Sequence, residues 1–177
     1  MTVPGDISAI ASDLKVLLLD VDGVLTDGGI ILIGQDLEAK RFDVQDGMGI
    51  GLARSVGIKI GIITSRSSDV VTRRAKELKI DEVFQGVKRK TDVLDLLLKR
   101  YNIKSSEVAY IGDDIQDIPI MEQVGMPIAV QNAVSAVKDC SCYVTQAKGG
   151  HGAVREAIEW FLDLRGDKQT AYSKIFD

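Results

Sequence analysis

The sequence has 177 residues, which suits one domain with a substantial core. It is 45% hydrophobic and 27% charged, as is ordinary for a globular protein, and its net charge of −4 argues against nucleic acid or a membrane as a partner. No apolar run approaches the roughly 20 residues of a membrane span, and the N-terminal residues lack the pattern of a signal peptide. Cys140 and Cys142 are poorly spaced for a mutual disulfide, so we expect reduced thiols in a cytoplasmic protein.

Predicted strands and helices alternate along the chain. Short apolar runs bounded by Gly, Asp or Ser predict strands at 16–19, 58–63, 82–84, 108–111, 128–130 and 142–144. Apolar residues at helical spacing predict helices at 46–56, 67–79, 90–101, 115–124 and 151–164. The alternation predicts an α/β fold, a Rossmann-like parallel sheet with helices on both faces, in a single domain covering residues 1–177.

One segment interrupts this alternation. Residues 28–44, GGIILIGQDLEAKRFDV, contain two short strand-like runs around GQD and predict a protruding β-hairpin after the first strand. Ligands in doubly wound folds bind beyond the carboxyl ends of the strands, so the hairpin should project from the functional edge. The polar segment 166–177 is predicted to be a flexible tail.

Two acidic clusters follow predicted strands. Asp20 and Asp22, in DVDGVLTDG, come after the first strand, and Asp113 and Asp117, in GDDIQD, come after the strand at 108–111. Neighbouring parallel strands would bring both clusters to one edge. Oxygen ligands without a nearby histidine or thiolate favour Mg²⁺ over zinc. Helix caps and ordinary loop acids remain the alternative interpretation.

Two further segments supply hydroxyl and cationic groups. Thr64, followed by Ser65 and Arg66, ends the strand at 58–63, and Lys90 follows GVKR. Hydroxyls can donate to phosphate oxygens, and a lysine can neutralise a carboxylate and a phosphate together. Taken singly, Thr64 is also typical of a helix cap and Lys90 of a solvated surface.

The order of these segments is the specific signal. DVDGVLTDG, then ITSR, then a lysine, then GDDIQD resembles the haloacid dehalogenase-like phosphohydrolases over nearly the whole chain. The resemblance implies that Asp20 attacks phosphorus and forms an aspartyl-phosphate. It implies that Asp22 protonates the leaving oxygen and then activates water. Thr64 and Lys90 would bind the phosphoryl group.

The resemblance also implies a metal site. Mg²⁺ would be held by Asp20, the backbone carbonyl of Asp22 and Asp113, with Asp117 in support. A carboxylate can attack a phosphate dianion only if their repulsion is cancelled, which Mg²⁺ and Lys90 would do.

The spacing of the motifs leaves no room for the cap domain that covers the site in many members of this family. The interval from Asp20 to Thr64 holds the hairpin and one helix, and the interval from Thr64 to Lys90 holds one helix and a short strand. An open site weakens electrostatic stabilisation, and the apolar hairpin residues need burial. Self-association through the hairpins would answer both needs, so we expect a homo-oligomer with sites at subunit interfaces.

Longer segments sharpen the resemblance. DVDGVLTDG, FDVQDGMGI, ITSR, AYIGDDIQDIPIM and GGHGAVREAIEW together resemble the capless, tetrameric group of this family that acts on sugar-acid phosphates. This implies a homotetramer that hydrolyses the 8-phosphate of an eight-carbon keto sugar acid, whose product enters the core of lipopolysaccharide. A nine-carbon keto sugar acid 9-phosphate is the nearest alternative substrate. A non-catalytic assembly module, like domains attached to sugar-nucleotide transferases, is an alternative from another class, and a receiver-like domain is a weaker third.

The same resemblance implies the substrate contacts. They are Asp22, Asp43, Val44, Gln45, Asp46, Gly47, Arg66, Arg74 and Lys90. Arg66 and Arg74, eight residues apart, could share one face of a helix, although Arg74 could equally be a solvated helix residue. The chain departs from the family pattern at His151 and Gly51, where basic residues are frequent. We interpret His151 as a helix-start or substrate-edge residue, since Asp22 already provides the general acid and base.

Overall fold

A computed structural model describes residues 6–35 and 37–175. Its elements in chain order are α1 (Ile7–Asp13), β1 (Val16–Leu19), β2 (Ile31–Ile33), β3 (Leu37–Ala39), α2 (Val44–Ser55), β4 (Lys59–Ile63), α3 (Asp69–Glu77), β5 (Glu82–Phe84), α4 (Lys90–Tyr101), β6 (Val108–Gly112), α5 (Ile118–Met121), β7 (Met126–Ala129), α6 (Ser135–Asp139), β8 (Tyr143–Val144), α7 (Ala153–Arg165) and α8 (Lys168–Lys174). Single turns of 3₁₀ helix lie at Ser105–Glu107 and Ile115–Asp117.

The central sheet places the strand ends that carry the motifs side by side. In the described residues its order is β5-β4-β1-β6-β7-β8, and all pairs are parallel. Leu19 at the end of β1 is level with Ile62 of β4 and Ile111 of β6. The chain moves outward from β1 through β4 to β5 and then crosses to β6 on the other side of β1. The carboxyl end of β1 is therefore the switch point at which such folds bind ligands.

Helices cover both faces of the sheet, as the sequence predicted. Helices α1, α2, α7 and α8 pack against one another, and α4 packs against α5. Right-handed crossovers place α2 on one face and α4 on the other, because the chain reverses direction across the sheet between them. All four residues of β1 are buried, which explains its uninterrupted aliphatic sequence. None of the helices in the described part of the chain has the length and apolar character needed to cross a membrane.

The predicted hairpin is present, and no cap domain accompanies it in the described residues. Strands β2 and β3 pair antiparallel, with Ile33 opposite Leu37, in a two-stranded sheet separate from the central one. A bridge between Thr26 and Phe42 closes its base. The strands are shorter than the predicted segment 28–44, and their apolar side chains are exposed.

The C-terminal segment corrects one prediction. The sequence predicted a flexible tail at 166–177, but residues Lys168–Lys174 form α8 and Ala171 is fully buried. The hydroxyl of Ser55 in α2 donates to the carbonyl of Ala171 at 3.4 Å. A Cβ on Gly51 would lie 3.4 Å from Ile175, so Gly51 of α2 faces the residue that follows α8. Residues 176–177 lie outside the described residues.

Two predicted helices also differ. The helix predicted at 67–79 begins at Asp69, after Ser68, which is its N-cap residue. The helix predicted at 115–124 is a 3₁₀ turn followed by the short α5. Helices α1 and α6 were not predicted.

A buried carboxylate joins α2 to α7. Asp46 in the first turn of α2 is 1% exposed, and it accepts hydrogen bonds from the backbone N–H of Arg155 at 2.9 Å and of Gly152 at 3.4 Å. These N–H groups are among those that a helix N-terminus leaves without internal partners. Burial raises the pKa of Asp46 to about 6.

This pKa predicts a pH-dependent stability difference between the wild type and Asp46→Asn. The folded protein holds the Asp46 proton more tightly than the unfolded chain, so the contribution of Asp46 to stability falls as pH rises from about 4 to about 6. Asn lacks this titration. Urea unfolding should be measured at pH 4, 5.5 and 7. As pH rises, the free energy of unfolding of the variant should increase relative to that of the wild type by up to about 3 kcal/mol. A stability difference that is the same at all three pH values would contradict the assignment.

Candidate active site

A buried lysine is surrounded by carboxylates at the end of β1. The Nζ of Lys90 donates to Asp20 Oδ1 at 2.7 Å, to Asp117 Oδ1 at 2.6 Å and to the Tyr110 hydroxyl at 3.0 Å. The Tyr110 hydroxyl in turn donates to Asp117 at 2.6 Å. An ammonium has three protons, so each one has a partner here. The sequence predicted Lys90 and both aspartates but not Tyr110, which reads as an ordinary strand residue.

Burial and charge set the protonation of this cluster. Burial disfavours the charge of Lys90, but Asp20 and Asp117 outweigh it and raise the Lys90 pKa. Burial raises the pKa of Asp20 to about 6, although the charge of Lys90 opposes the shift. Asp20 is thus mostly ionised at neutral pH, as a carboxylate nucleophile must be.

The carboxylate of Asp113 lies beside this cluster without a cation of its own. Burial, followed by the charges of Asp20 and Asp117, raises the Asp113 pKa to about 8. Its Oδ1 is buried and has no hydrogen-bond partner among the described residues. Gly23, with φ of 96°, lies so close that a Cβ there would be 2.0 Å from Asp113 Oδ2. The Asp113 carboxylate is therefore closely packed against Gly23, and its Oδ1 has no hydrogen bond among the described residues.

The cluster fits a hard divalent cation. Among the described residues, Asp20, Asp113 and Asp117 offer carboxylate oxygens within 4.8 Å of one another. Asp117 is already fully bonded, because its Oδ2 also accepts the backbone N–H groups of Asp113 at 2.9 Å and Asp114 at 3.2 Å. The unpaired oxygen of Asp113 and the oxygen-only donor set fit Mg²⁺, with Asp117 supporting the loop.

Asp22 lies at the mouth of the site, and its carboxylate pairs with two cationic side chains. The Lys40 ammonium bonds to its Oδ1, and Arg66 Nε is 3.7 Å from its Oδ2. Lys40 was not among the predicted site residues. Glu38 and Lys40 are two residues apart on an extended chain and so share one face. This spacing was the only local signal for Lys40.

The side chains that follow β4 only partly match their predicted places. Thr64 is buried, its N–H donates to Phe84 at 3.0 Å, and its Oγ1 accepts the Arg66 N–H at 3.4 Å. Arg66 lies in the loop before α3, so the prediction that it shares a helix face with Arg74 is wrong. Because α3 begins only at Asp69, Arg66 stays in the loop, from which it reaches the mouth of the site.

Arg74 supports the predicted substrate loop from behind. Its Nη2 is 3.5 Å from the Asp43 carbonyl, and its guanidinium lies 5.8 Å from the centre of the Phe42 ring. A Cβ on Gly47 would be 2.7 Å from Arg74 Nη2, so this glycine permits the close approach. Arg74 therefore contacts the backbone of this loop and pairs with Glu77, and its predicted contact with substrate stays a prediction.

The other residues of the predicted substrate loop have two different surroundings. Asp43 caps α2 by accepting the Gln45 N–H at 2.7 Å, and Val44 is exposed beside them. The carboxylate of Asp46 is buried and bonded to α7, so its predicted contact with substrate is corrected to a structural one.

The loop before α7 packs onto the loop that follows β1. A Cβ on Gly149 would be 1.7 Å from the Gly23 carbonyl, and Asn132 bridges the two, donating to Gly23 at 3.0 Å and accepting from Gly149 at 2.6 Å. His151 Nε2 is 3.3 Å from Arg41 Nη1, which places His151 beside the base of the hairpin. Asn132 was not predicted, since it follows β7 without a recognisable motif.

Together these groups are suited to phosphoryl transfer. An ionised carboxylate, a second carboxylate at the mouth, a buried ammonium and an acidic metal cluster converge at one sheet edge. Charge neutralisation and positioning are the main requirements of that reaction.

Comparisons with known proteins agree with this chemistry. A family profile described as haloacid dehalogenase-like hydrolase matches residues 82–158. The 3-deoxy-D-manno-octulosonate 8-phosphate phosphatase KdsC of Escherichia coli (strain K12) is 40% identical over 164 residues, which cover 93% of this chain and 87% of that protein.

Two solved structures are similar along nearly their whole length. The 3-deoxy-D-manno-octulosonate 8-phosphate phosphatase from Moraxella catarrhalis, in complex with magnesium ion, phosphate ion and KDO, has a TM-score of 0.91 and 40% identity, covering 96% of this chain and 97% of that one. The cobalt-bound form of the deoxy-D-mannose-octulosonate 8-phosphate phosphatase (YrbI) from Haemophilus influenzae has a TM-score of 0.89 and 30% identity, covering 95% of this chain and 99% of that one. The chain belongs to the haloacid dehalogenase-like hydrolases, within the family of 3-deoxy-D-manno-octulosonate 8-phosphate phosphatases.

Proposed function

We propose that this chain hydrolyses 3-deoxy-D-manno-octulosonate 8-phosphate to 3-deoxy-D-manno-octulosonate and phosphate, in lipopolysaccharide core biosynthesis. The observation that carries the proposal is the carboxylate of Asp20, which accepts a hydrogen bond from Lys90 Nζ at 2.7 Å at the switch point of the sheet. The identity to phosphatases of that name over most of the chain supports the substrate. The proposal treats residues 1–177 as one hydrolase domain acting in the cytoplasm, where the free thiols of Cys140 and Cys142 would stay reduced.

In this proposal the reaction has two steps. Asp20 attacks phosphorus while Asp22 gives a proton to the departing sugar oxygen, which leaves an aspartyl-phosphate on Asp20. Asp22 then takes a proton from water as the water attacks phosphorus, and Asp20 is released. The Thr64 hydroxyl and Lys90 bind phosphoryl oxygens. Since every proton of Lys90 is already engaged, Lys90 exchanges one of its present bonds for the phosphoryl group.

Mg²⁺ is the cofactor in this proposal. Asp20, Asp113 and the backbone carbonyl of Asp22 would hold it, with Asp117 supporting the loop. When bound it supplies positive charge that offsets the repulsion between the carboxylates and the phosphate.

Two arginines and a histidine lie on the substrate side of the site. Arg66 is 42% exposed at the mouth, and Arg41 and His151 lie at the base of the hairpin. These groups favour an acidic sugar phosphate over a neutral one. Asp43, Val44, Gln45 and Gly47 would line the substrate from the start of α2.

The proposed assembly is a homotetramer joined by the hairpins. Ile30, Ile31, Leu32, Ile33 and Leu37 are between 50% and 73% exposed, which is a large apolar surface for one small element. A second copy of the chain would bury it and cover the open site. Sites would then lie at subunit interfaces.

Substrate comparison tests the proposed reaction. With Mg²⁺, the wild type should hydrolyse the eight-carbon acid 8-phosphate with a higher kcat/KM than the nine-carbon acid 9-phosphate. Asp20→Asn should lower turnover at least about a thousandfold with an unchanged circular dichroism spectrum. Equal and poor rates on both sugars would contradict the substrate. Failure to hydrolyse any sugar phosphate would favour the non-catalytic assembly module, and wild-type-like turnover of Asp20→Asn would refute the nucleophile.

Magnesium affinity should depend on pH. Because the Asp113 pKa is about 8 without a cation, Asp113 must lose a proton when Mg²⁺ binds. Isothermal titration calorimetry should find tighter binding as pH rises from 6 to 8, by up to about tenfold per unit, with proton release. Asp27→Asn, at an exposed acid without an assigned role, should bind as the wild type does. Affinity that is flat across this range, or turnover that resists a chelator, would count against the metal site.

The oligomer can be tested at the hairpin. Leu32→Asp, at the most exposed apolar residue of the hairpin, should shift the mass measured by light scattering from about four chains toward the 19.2 kDa of one chain, and should lower activity. Leu96→Asp is a matched control, since Leu96 is also an exposed leucine but lies on α4. A wild type that elutes as a monomer at micromolar concentration would exclude the tetramer.

A further inference from the structure

Four charged side chains join the hairpin to the loop after β1. Glu38 in β3 and Lys40 just after it come from the hairpin, Asp22 from the loop after β1, and Arg66 from the loop after β4. Lys40 bonds to Asp22 Oδ1, Arg66 Nε lies 3.7 Å from Asp22 Oδ2, and Arg66 Nη2 donates to Glu38 Oε2 at 3.0 Å. The signs alternate from Lys40 through Asp22 and Arg66 to Glu38, so each contacting pair attracts.

The two contacts of Asp22 differ in strength. The side chain of Lys40 is 2% exposed, whereas that of Arg66 is 42% exposed. An exposed ion pair contributes little, because water and salt screen it. A buried ammonium is costly unless it is paired, so the Lys40 side chain stays against Asp22. Lys40 is therefore the firm contact and Arg66 the exchangeable one.

The side chains of β3 and the residue after it alternate between two faces. Glu38 and Lys40 are two residues apart and emerge on one face of the extended chain, whereas Leu37 emerges on the other. Leu37 is 67% exposed, and the side chain of Lys40 is 2% exposed. Leu32 of β2 lies opposite Glu38 and shares its face, so exposed apolar residues emerge on both faces of the hairpin, while the Lys40 ammonium lies at its base against Asp22.

We propose that Lys40 is a positioning residue for Asp22. It holds the Asp22 carboxylate in the orientation from which protons pass to the leaving oxygen and from the attacking water. Proton transfer needs the donor and acceptor within hydrogen-bond reach, which a freely rotating carboxylate satisfies only part of the time. Lys40 itself touches neither phosphorus nor the leaving group. This inference deepens the proposed function and rests on it.

A double-mutant cycle tests whether Lys40 acts through Asp22. Lys40→Met removes the ammonium and keeps the length of the side chain, and it is compared in the wild type and in Asp22→Asn. Single-turnover phosphate release with enzyme in excess makes the slow Asp22→Asn reaction measurable on the eight-carbon sugar-acid phosphate. In the wild-type background Lys40→Met should lower the rate about 10- to 100-fold, with KM changed less than about threefold. In the Asp22→Asn background it should change the rate less than about twofold.

Two results would overturn the inference. An equal loss in both backgrounds would mean that Lys40 acts independently of Asp22, and a loss expressed mainly in KM would mean that it binds substrate. An unchanged rate in the wild-type background would overturn it as well. Should Lys40→Met fail to fold by circular dichroism, Lys40→Gln enters the same cycle. Lys59→Met is the matched control, because Lys59 also pairs with an aspartate, Asp81 at 3.2 Å, but at the opposite end of β4.

The same cycle with p-nitrophenyl phosphate separates the proposed substrate from the proposed role of Lys40. If the wild type releases no phosphate from sugar acids but the cycle on this ester is non-additive, the proposed substrate fails and the role of Lys40 stands. If the wild type hydrolyses the sugar acid and Lys40→Met keeps its full rate, only the role of Lys40 fails.

Discussion

The structure depends on one buried interaction, the ammonium of Lys90 between Asp20 and Asp117. Without it, two carboxylates would lie unpaired beneath the sheet edge, and breaking such a buried pair costs about 3–5 kcal/mol. Because the charge of Lys90 opposes the effect of burial, the pKa of Asp20 rises only to about 6, which suits the proposed role of Asp20 as nucleophile at neutral pH. Lys90 satisfies only the inner side of the cluster. Asp113, whose pKa burial and neighbouring acids raise to about 8, is left to an exchangeable cation.

The hairpin lies at the mouth of the site, where the described residues form no cap domain. Its residues Glu38 and Lys40 place charge at the mouth, while its apolar residues such as Leu32 and Leu37 remain exposed. In the proposed tetramer the same short element would join the subunits, so placing the hairpin would also place the contact with Asp22.

The order of motifs predicted the fold and the central carboxylates, since each follows a run of buried aliphatic residues. The bounds of β1, β5 and α4 agree with the predicted segments. The misses depend on contacts distant in sequence. Helix α8 is polar, with Ala171 as its one fully buried residue and ion pairs from Lys168 to α7. Lys40, Tyr110 and Asn132 have roles only through partners that the fold brings near. A motif gives position along the chain but not the direction of a side chain, which is why Asp46 was predicted to contact substrate although its carboxylate is buried against α7.

The central claim is that the Asp20 carboxylate accepts the phosphoryl group. Quenching the enzyme during turnover and reducing it with borohydride converts an aspartyl-phosphate to homoserine, which peptide mass spectrometry locates. The account predicts homoserine at position 20, formed only with substrate and Mg²⁺ present. Homoserine at position 22 or 113, or none at any aspartate under conditions of rapid turnover, would contradict it.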